Sequence, residues 1–300
     1  MRPGSLAKEL RRRFPGLRVA EGEPMSAHCS FRIGGPADLF LEPGSEAELT
    51  ETLRFLREAG ETPVIIGKGT NLLVRDEGVR APVVHVGEAL GGVSVRGDTL
   101  SAGAGESLSR IAAAARDAGL SGLEFAHGIP GSLGGAIVMN AGAYGGEMKD
   151  VVASVRYLDE IGALCETEDP GFSYRRSRFS GENGVILGAS LRLTPGLTAE
   201  IAARMRELWE RRSSSQPLSK PSAGSTFKRP ATGYAAAMID GAGLKGFRLG
   251  GAQVSEKHAG FVINAGGATC ADVLALMAHI QEAVAREYGV LLEPEVKLIG

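Results

Sequence analysis

Gly128-Ile129-Pro130-Gly131-Ser132-Leu133-Gly134-Gly135 is the stretch that decides how this chain is read. Four glycines and a proline within eight residues are too dense for the interior of a helix or strand, so the segment is a shaped loop. Pro130 stiffens it, the glycines let backbone approach a ligand with no side chain between, and Ser132 is placed to cap a short helix that follows. Just downstream stands Asn140-Ala141-Gly142-Ala143-Tyr144-Gly145. Upstream, the apolar run Pro63-Val64-Ile65-Ile66 leads straight into Gly67-Lys68-Gly69-Thr70-Asn71, which offers backbone N–H groups and one cation, the needs of a pyrophosphate. It is neither a Walker loop nor the GxGxxG fingerprint. Singly, each loop reads equally well as a structural turn. Together, in one half of the chain, they imply a bound dinucleotide.

Composition agrees. Glycine supplies 43 of the 300 residues, about twice the usual ~7%, with no collagen-like period. A net charge of -2, 43% hydrophobic and 23% charged residues give no global bias toward nucleic acid or membrane, so any anion site is local. Cys29, Cys165 and Cys270 are odd in number and far apart, which argues against a disulfide framework or a metal site and for a reducing compartment. No apolar run approaches the ~18 residues of a membrane span. The basic Arg11-Arg12-Arg13 is followed by Phe14-Pro15-Gly16 with no hydrophobic signal core, so a cytoplasmic protein is expected.

The periodicity predicts a helix over 46–59, where Leu49, Leu53 and Leu56 share a face and Gly60 stops it. Short strands are expected from Val83 to Ala104, with hairpins punctuated at Gly91-Gly92 and Gly97-Asp98. An alanine-rich helix around 107–118, strands around 151–158 and 185–193, and a boundary at Thr194-Pro195-Gly196 complete the middle. The last hundred residues predict helices near 198–212 and 270–288, a polar loop Ser213 to Pro217, and a final strand from Val290 to Ile299. In that strand Val296 and Leu298 take one face and Glu293, Glu295 and Lys297 the other.

Two further segments bear chemistry. Ser173-Tyr174-Arg175-Arg176-Ser177-Arg178-Phe179 gathers three guanidinium groups beside two aromatics, a local anion site or a solvated basic loop. Pro221-Ser222-Ala223-Gly224-Ser225-Thr226-Phe227-Lys228 surrounds hydroxyls with small residues, leaving room for a ligand, or for an ordinary turn. No GxSxG elbow accompanies Ser225, so a hydrolase nucleophile is disfavoured.

Ser30-Phe31-Arg32-Ile33-Gly34-Gly35-Pro36-Ala37-Asp38, Gly67 to Leu72, Gly128 to Gly135, Asn140 to Gly145, Tyr174-Arg175, Ala223 to Lys228, Leu244-Lys245-Gly246 and Leu292 to Val296 occur together and in this order. In this the chain resembles the MurB family of flavin reductases from about Ser30 to Gly300. The form of the Ser225 loop is similar to the second type of that family, which lacks a substrate-capping tyrosine loop. The resemblance implies an α+β fold: a vanillyl-alcohol-oxidase-type (PCMH-like) FAD-binding fold of two subdomains, 1–78 and 79–195, plus a C-terminal α+β substrate-binding domain, 196–300. It implies reduction of UDP-N-acetylglucosamine enolpyruvate to UDP-N-acetylmuramate with FAD as cofactor and NADPH as reductant, in peptidoglycan precursor synthesis, by a monomer with no metal and no nucleic-acid or membrane partner.

By the same resemblance Ser225 is the proton donor, while Arg175 and Glu295 stabilise an enol-like intermediate. The cofactor would contact Arg32, Gly67, Lys68, Gly69, Thr70, Asn71, Leu72, Gly128, Ile129, Pro130, Gly131, Ser132, Gly134, Gly135, Asn140, Gly142, Ala143 and Tyr144. Arg229, Lys245 and His258 are the candidates for substrate contacts, and Lys228 or Arg229 for a cation beside Ser225. Cys29 and Lys297 depart from the Thr and Arg frequent in the family. Two rivals share parts of this pattern: a flavin oxidase or dehydrogenase of the same fold acting on an alcohol or sugar, and a non-catalytic nucleotide-binding protein.

Overall fold

Ser45 opens the first long helix after the N-terminal segment: its hydroxyl accepts the Glu48 N–H at 3.2 Å, and the helix Glu46–Glu58 runs on to Gly60 at φ +76°. Leu49, Leu53, Phe55 and Leu56 face inward, each such burial contributing about 2 kcal/mol. The computed structural model describes residues 3–181 and 184–300. Their contacts gather into two compact units: 1–21, 39–68 and 81–212 in the first, 22–38, 69–80 and 213–300 in the second.

One sheet, most of it in the first unit, is ordered Arg18–Pro24, Pro36–Glu42, Val83–His85, Val64–Ile66. Val83–His85 lies parallel to both of its neighbours, with Val83 opposite Phe40 on one side and Val64 on the other. A second, antiparallel sheet is ordered Leu164–Thr167, Val152–Leu158, Val185–Arg192, Thr99–Gly103, Val93–Arg96. The helices Leu108–Asp117 and Leu133–Val138 contribute Leu108, Ile111, Leu133 and Ile137 to one continuous core with both sheets. The helix Thr198–Ser215 joins that core through Ile201 and Met205.

The second unit is built on the antiparallel strands Arg248–Leu249, Ala252–Val254 and Val262–Asn264, with the helix Cys270–Tyr288 burying Val273, Leu276, Ile280 and Val284. The strand Leu72–Val74 pairs in parallel with Lys297–Ile299, so a piece from the first third of the chain and the C-terminus share one ladder.

Several expectations are corrected. Gly97-Asp98 turns a hairpin between Val93–Arg96 and Thr99–Gly103, but Gly91-Gly92 does not, because Val83–His85 pairs in the other sheet. The final strand covers only Lys297–Ile299; before it, Glu293 and Glu295 bond to the Thr226 to Lys228 segment instead of a sheet. Ser213 to Ser215 extend the helix rather than forming a loop, and Thr194–Pro195 pairs with Leu120–Ser121. Ser132 occupies the N-cap position of Leu133–Val138 but makes no capping bond. No described helix is long and apolar enough to cross a membrane.

Candidate active site

Among the described residues four non-glycines have positive φ: Arg32 at +56°, Asn140 at +42°, Tyr144 at +54° and Arg175 at +54°. All four were singled out from sequence. Left-handed backbone costs an L-residue roughly 1–2 kcal/mol, and such outliers collect where function requires them.

In the first unit the two glycine loops touch. A Cβ on Gly67 would come 2.3 Å from Ser132 Oγ, so any larger residue would have to turn that hydroxyl aside. The Gly131 loop is pinned to the start of the preceding helix, with Leu108 N–H donating to Gly131 O at 3.2 Å and Leu133 N–H to Glu106 O at 2.8 Å. Gly134 donates to Ala104 O at 2.9 Å, a close approach that a larger residue would obstruct. Ile129 N–H closes a turn on Ala126 O, and Pro130 is exposed. Ser132, 2% exposed, has a hydroxyl and an N–H without a partner among the described residues, and Gly131, at φ +149°, likewise has no acceptor for its N–H. Lys68 reaches only the exposed Glu88, at 3.3 Å, a pair that a ligand anion would readily displace.

Gly142-Ala143 and Gly146-Glu147 form a hairpin turned by Tyr144 and Gly145, both at positive φ. The Arg211 guanidinium lies 5.0 Å from the centre of the Tyr144 ring, and the buried Tyr144 hydroxyl has no hydrogen-bond partner among the described residues. Arg175 occupies the corner of a second tight turn, Ser173 to Arg176, whose ends exchange backbone hydrogen bonds of 2.9 and 3.2 Å. Its guanidinium donates to Gly142 O at 3.4 Å and lies 5.2 Å from the Tyr174 ring centre. The neighbouring Glu147 is held below the ordinary carboxylate range, chiefly by its bond to Lys149, with the Asn140 amide and the Arg175 charge adding to it.

The second unit holds Arg32 and Gly69 to Leu72. A Cβ on Gly69, at φ +61°, would sit 2.1 Å from His28 O, and Ser30 N–H donates to Gly69 O at 3.2 Å. Gly69 is buried and its N–H has no acceptor among the described residues. Ser30 Oγ donates to Ser222 O at 2.6 Å, tying this turn to the loop that carries Ser225. Glu295 N–H donates to Thr226 O at 2.9 Å and Lys228 N–H to Glu293 O at 2.8 Å, so the Ser225 and Glu295 segments run side by side. Asn71 bridges to the same place, its Nδ2 donating to Glu295 O at 3.1 Å. The Ser225 hydroxyl has no partner among the described residues, and Gly224 before it takes φ +76°.

The cations expected beside Ser225 are engaged elsewhere: the Lys228 ammonium pairs with Glu293, and the Arg229 guanidinium stacks 4.1 Å from the Tyr234 ring centre. Lys245 and His258 do come together, lining a shallow cavity of about 180 Å³ with Ala236, Asp240 and Lys257. Lys245 bonds Asp240 at 2.6 Å. Burial pushes His258 below its ordinary value, and its Nδ1 accepts the Gly260 N–H at 3.1 Å, which leaves the proton on Nε2. Cys270, pushed up to about 11 by burial and by Asp76, is no nucleophile.

Sequence reasoning missed Asn264, whose amide donates to Phe31 O at 3.3 Å, and Glu147; a lone Asn at a strand end and a Glu beside a turn carry no local signature. FAD fits what is present. In the first unit the partnerless N–H groups of Gly131 and Ser132, beside the bare Gly67, are suited to phosphate oxygens.

An FAD binding domain model matches residues 37–168, and a model of the UDP-N-acetylenolpyruvoylglucosamine reductase C-terminal domain matches 216–299. The chain is 47% identical over 289 residues to the UDP-N-acetylenolpyruvoylglucosamine reductase of Syntrophomonas wolfei, 96% of this chain and 97% of that one. To the enzyme of that name from Caldanaerobacter subterraneus it is 51% identical over 280 residues, 93% and 92% of the two chains. The crystal structure of UDP-N-acetylenolpyruvylglucosamine reductase (MurB) from Thermus caldophilus superposes with a TM-score of 0.81 at 33% identity, covering 95% of this chain and 99% of that one. With both domains, the fold and the glycine loops in agreement, the chain belongs to the UDP-N-acetylenolpyruvoylglucosamine reductase family, MurB.

Proposed function

We propose that this chain is the FAD-dependent oxidoreductase that reduces UDP-N-acetylglucosamine enolpyruvate to UDP-N-acetylmuramate with NADPH, a step of peptidoglycan precursor synthesis. The observation that carries it is the apposition of the Ser225 loop and the Glu295 segment within the stretch matched by the reductase C-terminal domain. FAD, which the Gly67 to Leu72 and Gly128 to Gly135 loops would hold, would supply the hydride-transfer chemistry between NADPH and the enolpyruvyl substrate. The chain's own residues handle the remaining charge and proton. Arg175 stabilises negative charge developing toward the substrate carboxylate, and Glu295 helps to hold the enol-like species. Ser225 Oγ, unengaged within the described residues, delivers the proton to the adjacent carbon and so completes the lactyl ether.

Lys245 and His258 are assigned to substrate contacts through the cavity they share, and Arg229 from the neighbouring loop. The cofactor set remains as expected from sequence, with Asn140 reassigned below. The functional division 1–78, 79–195 and 196–300 is kept as a proposal beside the contact-based units. A cytoplasmic, monomeric enzyme belongs to the same reading, in keeping with a soluble nucleotide-sugar substrate and a net charge of -2.

The test separates two half-reactions. Ser225→Ala is expected to leave reduction of the flavin by NADPH intact and to slow oxidation of the reduced flavin by the enolpyruvyl substrate by about 100-fold or more. Unchanged turnover would remove Ser225 as proton donor. Reoxidation by simple alcohols or sugars, with none by the enolpyruvyl substrate, would favour the oxidase reading.

A further inference from the structure

The turn that presents Arg175 is closed by its own two backbone hydrogen bonds but carries a strained residue at its corner. Arg175 stands at φ +54°, at a turn position where glycine or asparagine is preferred, so contacts that brace the turn from outside help to hold that conformation. Asn140 is the visible agent. It is 1% exposed, and its side chain engages three partners: Nδ2 donates to Ser173 O at 3.1 Å and to Glu147 Oε2 at 2.9 Å, and Oδ1 accepts the Lys149 N–H at 3.0 Å. One amide therefore joins the start of the Arg175 turn to the hairpin whose Gly142 carbonyl accepts from the guanidinium. On the far side of the turn, Ser177 and Ser180 hydroxyls both donate to Val138 O, at 3.0 and 2.8 Å, just before Asn140 in the chain.

Both amide hydrogens of Asn140 are spent on Ser173 O and Glu147, so its donors serve the turn and the hairpin. We propose that Asn140 and Glu147 are positioning residues for Arg175: Asn140 clamps the turn, and Glu147 anchors the clamp and sets the negative charge that the guanidinium faces. The proposal rests on the assignment of Arg175 to the reaction. Neither residue touches substrate in this scheme. Glu147 is kept ionised by the Lys149 bond, which suits a permanent anchor better than a proton carrier.

The decisive variant is Asn140→Gly, because glycine accepts φ +42° without strain and the fold is preserved while the amide is lost. Flavin content and reduction by NADPH should match wild type, while oxidation of the reduced enzyme by the enolpyruvyl substrate slows by ~10- to 100-fold, the usual consequence of a catalytic group displaced by about 1 Å. In the double variant with Arg175→Ala, oxidation should be no slower than with Arg175→Ala alone, since both changes remove one function. Hydrogen exchange of the Arg176 N–H, bonded to Ser173 O at 3.2 Å, should quicken in Asn140→Gly, a readout independent of turnover. Glu147→Gln, which keeps an acceptor for Asn140 and loses the charge, should fall between wild type and Asn140→Gly. Loss of FAD from Asn140→Gly, or multiplying effects in the double variant, would overturn the proposal and return Asn140 to the cofactor or to a separate role. If Arg175→Ala oxidises at the wild-type rate, the assignment of Arg175 itself fails, and the clamp with it.

Discussion

Tyr144, Arg175 and Arg32 carry the clearest physical sign of a site, a conformation that their side chains do not favour, and Asn140 shares it. Asparagine visits the left-handed region readily; arginine and tyrosine do not. At Arg175 the backbone cost can be separated from the side chain's role by comparing two truncations. Arg175→Gly and Arg175→Ala both lose the guanidinium, but only glycine relieves φ +54°. The glycine variant should be the more stable of the two by about 1 kcal/mol, read from urea midpoints at equal slope, although both are slow in the oxidative half-reaction. Equal stabilities would show that the turn is unstrained and that the clamp has nothing to oppose.

The helix Cys270–Tyr288 shows how one element organises its neighbours. Thr269 Oγ1 accepts the Asp272 N–H at 3.0 Å, while Asp272 Oδ2 accepts the N–H of Thr269 at 3.1 Å and of Gly251 at 3.0 Å. The carboxylate thus caps the helix and fixes the Gly250-Gly251 turn, and these bonds, that from Gly251 first, hold Asp272 below its ordinary value. A lowered acid stabilises the fold above its unfolded value, and the contribution is lost as pH falls through the folded one. Asp272→Asn should therefore be destabilised near neutrality and lose less further stability on acidification than wild type, followed by thermal midpoints across pH. Thr269→Ala should cost about 1 kcal/mol and flatten the pH slope less than Asp272→Asn, because the Gly251 and Thr269 backbone bonds to the carboxylate remain. A helix of this length was legible in the sequence because its apolar period and its stop at Gly289 are local. So were Glu46–Glu58, Leu108–Asp117 and the long strands of the antiparallel sheet. The insertion of Val83–His85 between Pro36–Glu42 and Val64–Ile66 was not, since three-residue parallel strands have no period to read. Nor was the bonding of Glu293 and Glu295 to the Ser225 loop, a pairing across some seventy residues of chain. The glycine loops could be found as motifs, yet that Asn140 serves the Arg175 turn depends on the fold alone.

For the whole chain, the contact-based units include segments distant in sequence: 22–38 and 69–80 belong with 213–300. Truncating the protein at a linear boundary would strip strands and loops from a unit that needs them, so any test of cofactor binding belongs to the full chain. A ligand that binds only the folded state stabilises it by mass action, by ~2.7 kcal/mol at a hundredfold excess over its dissociation constant. For a chain of 300 residues that corresponds to a rise of roughly 4 °C in melting temperature. Flavin-depleted protein should therefore melt lower than the yellow protein, and added FAD should restore the midpoint in a concentration-dependent way. NADPH without FAD should give little of that shift, because the bare glycine loops are assigned to the flavin nucleotide. Gly67→Ala, whose Cβ would press within 2.3 Å of Ser132 Oγ, should weaken the FAD-dependent rise more than it lowers the flavin-free midpoint. A protein that melts identically with and without FAD, but shifts with other nucleotides, would instead fit the non-catalytic nucleotide-binding reading and would detach the glycine loops from flavin chemistry.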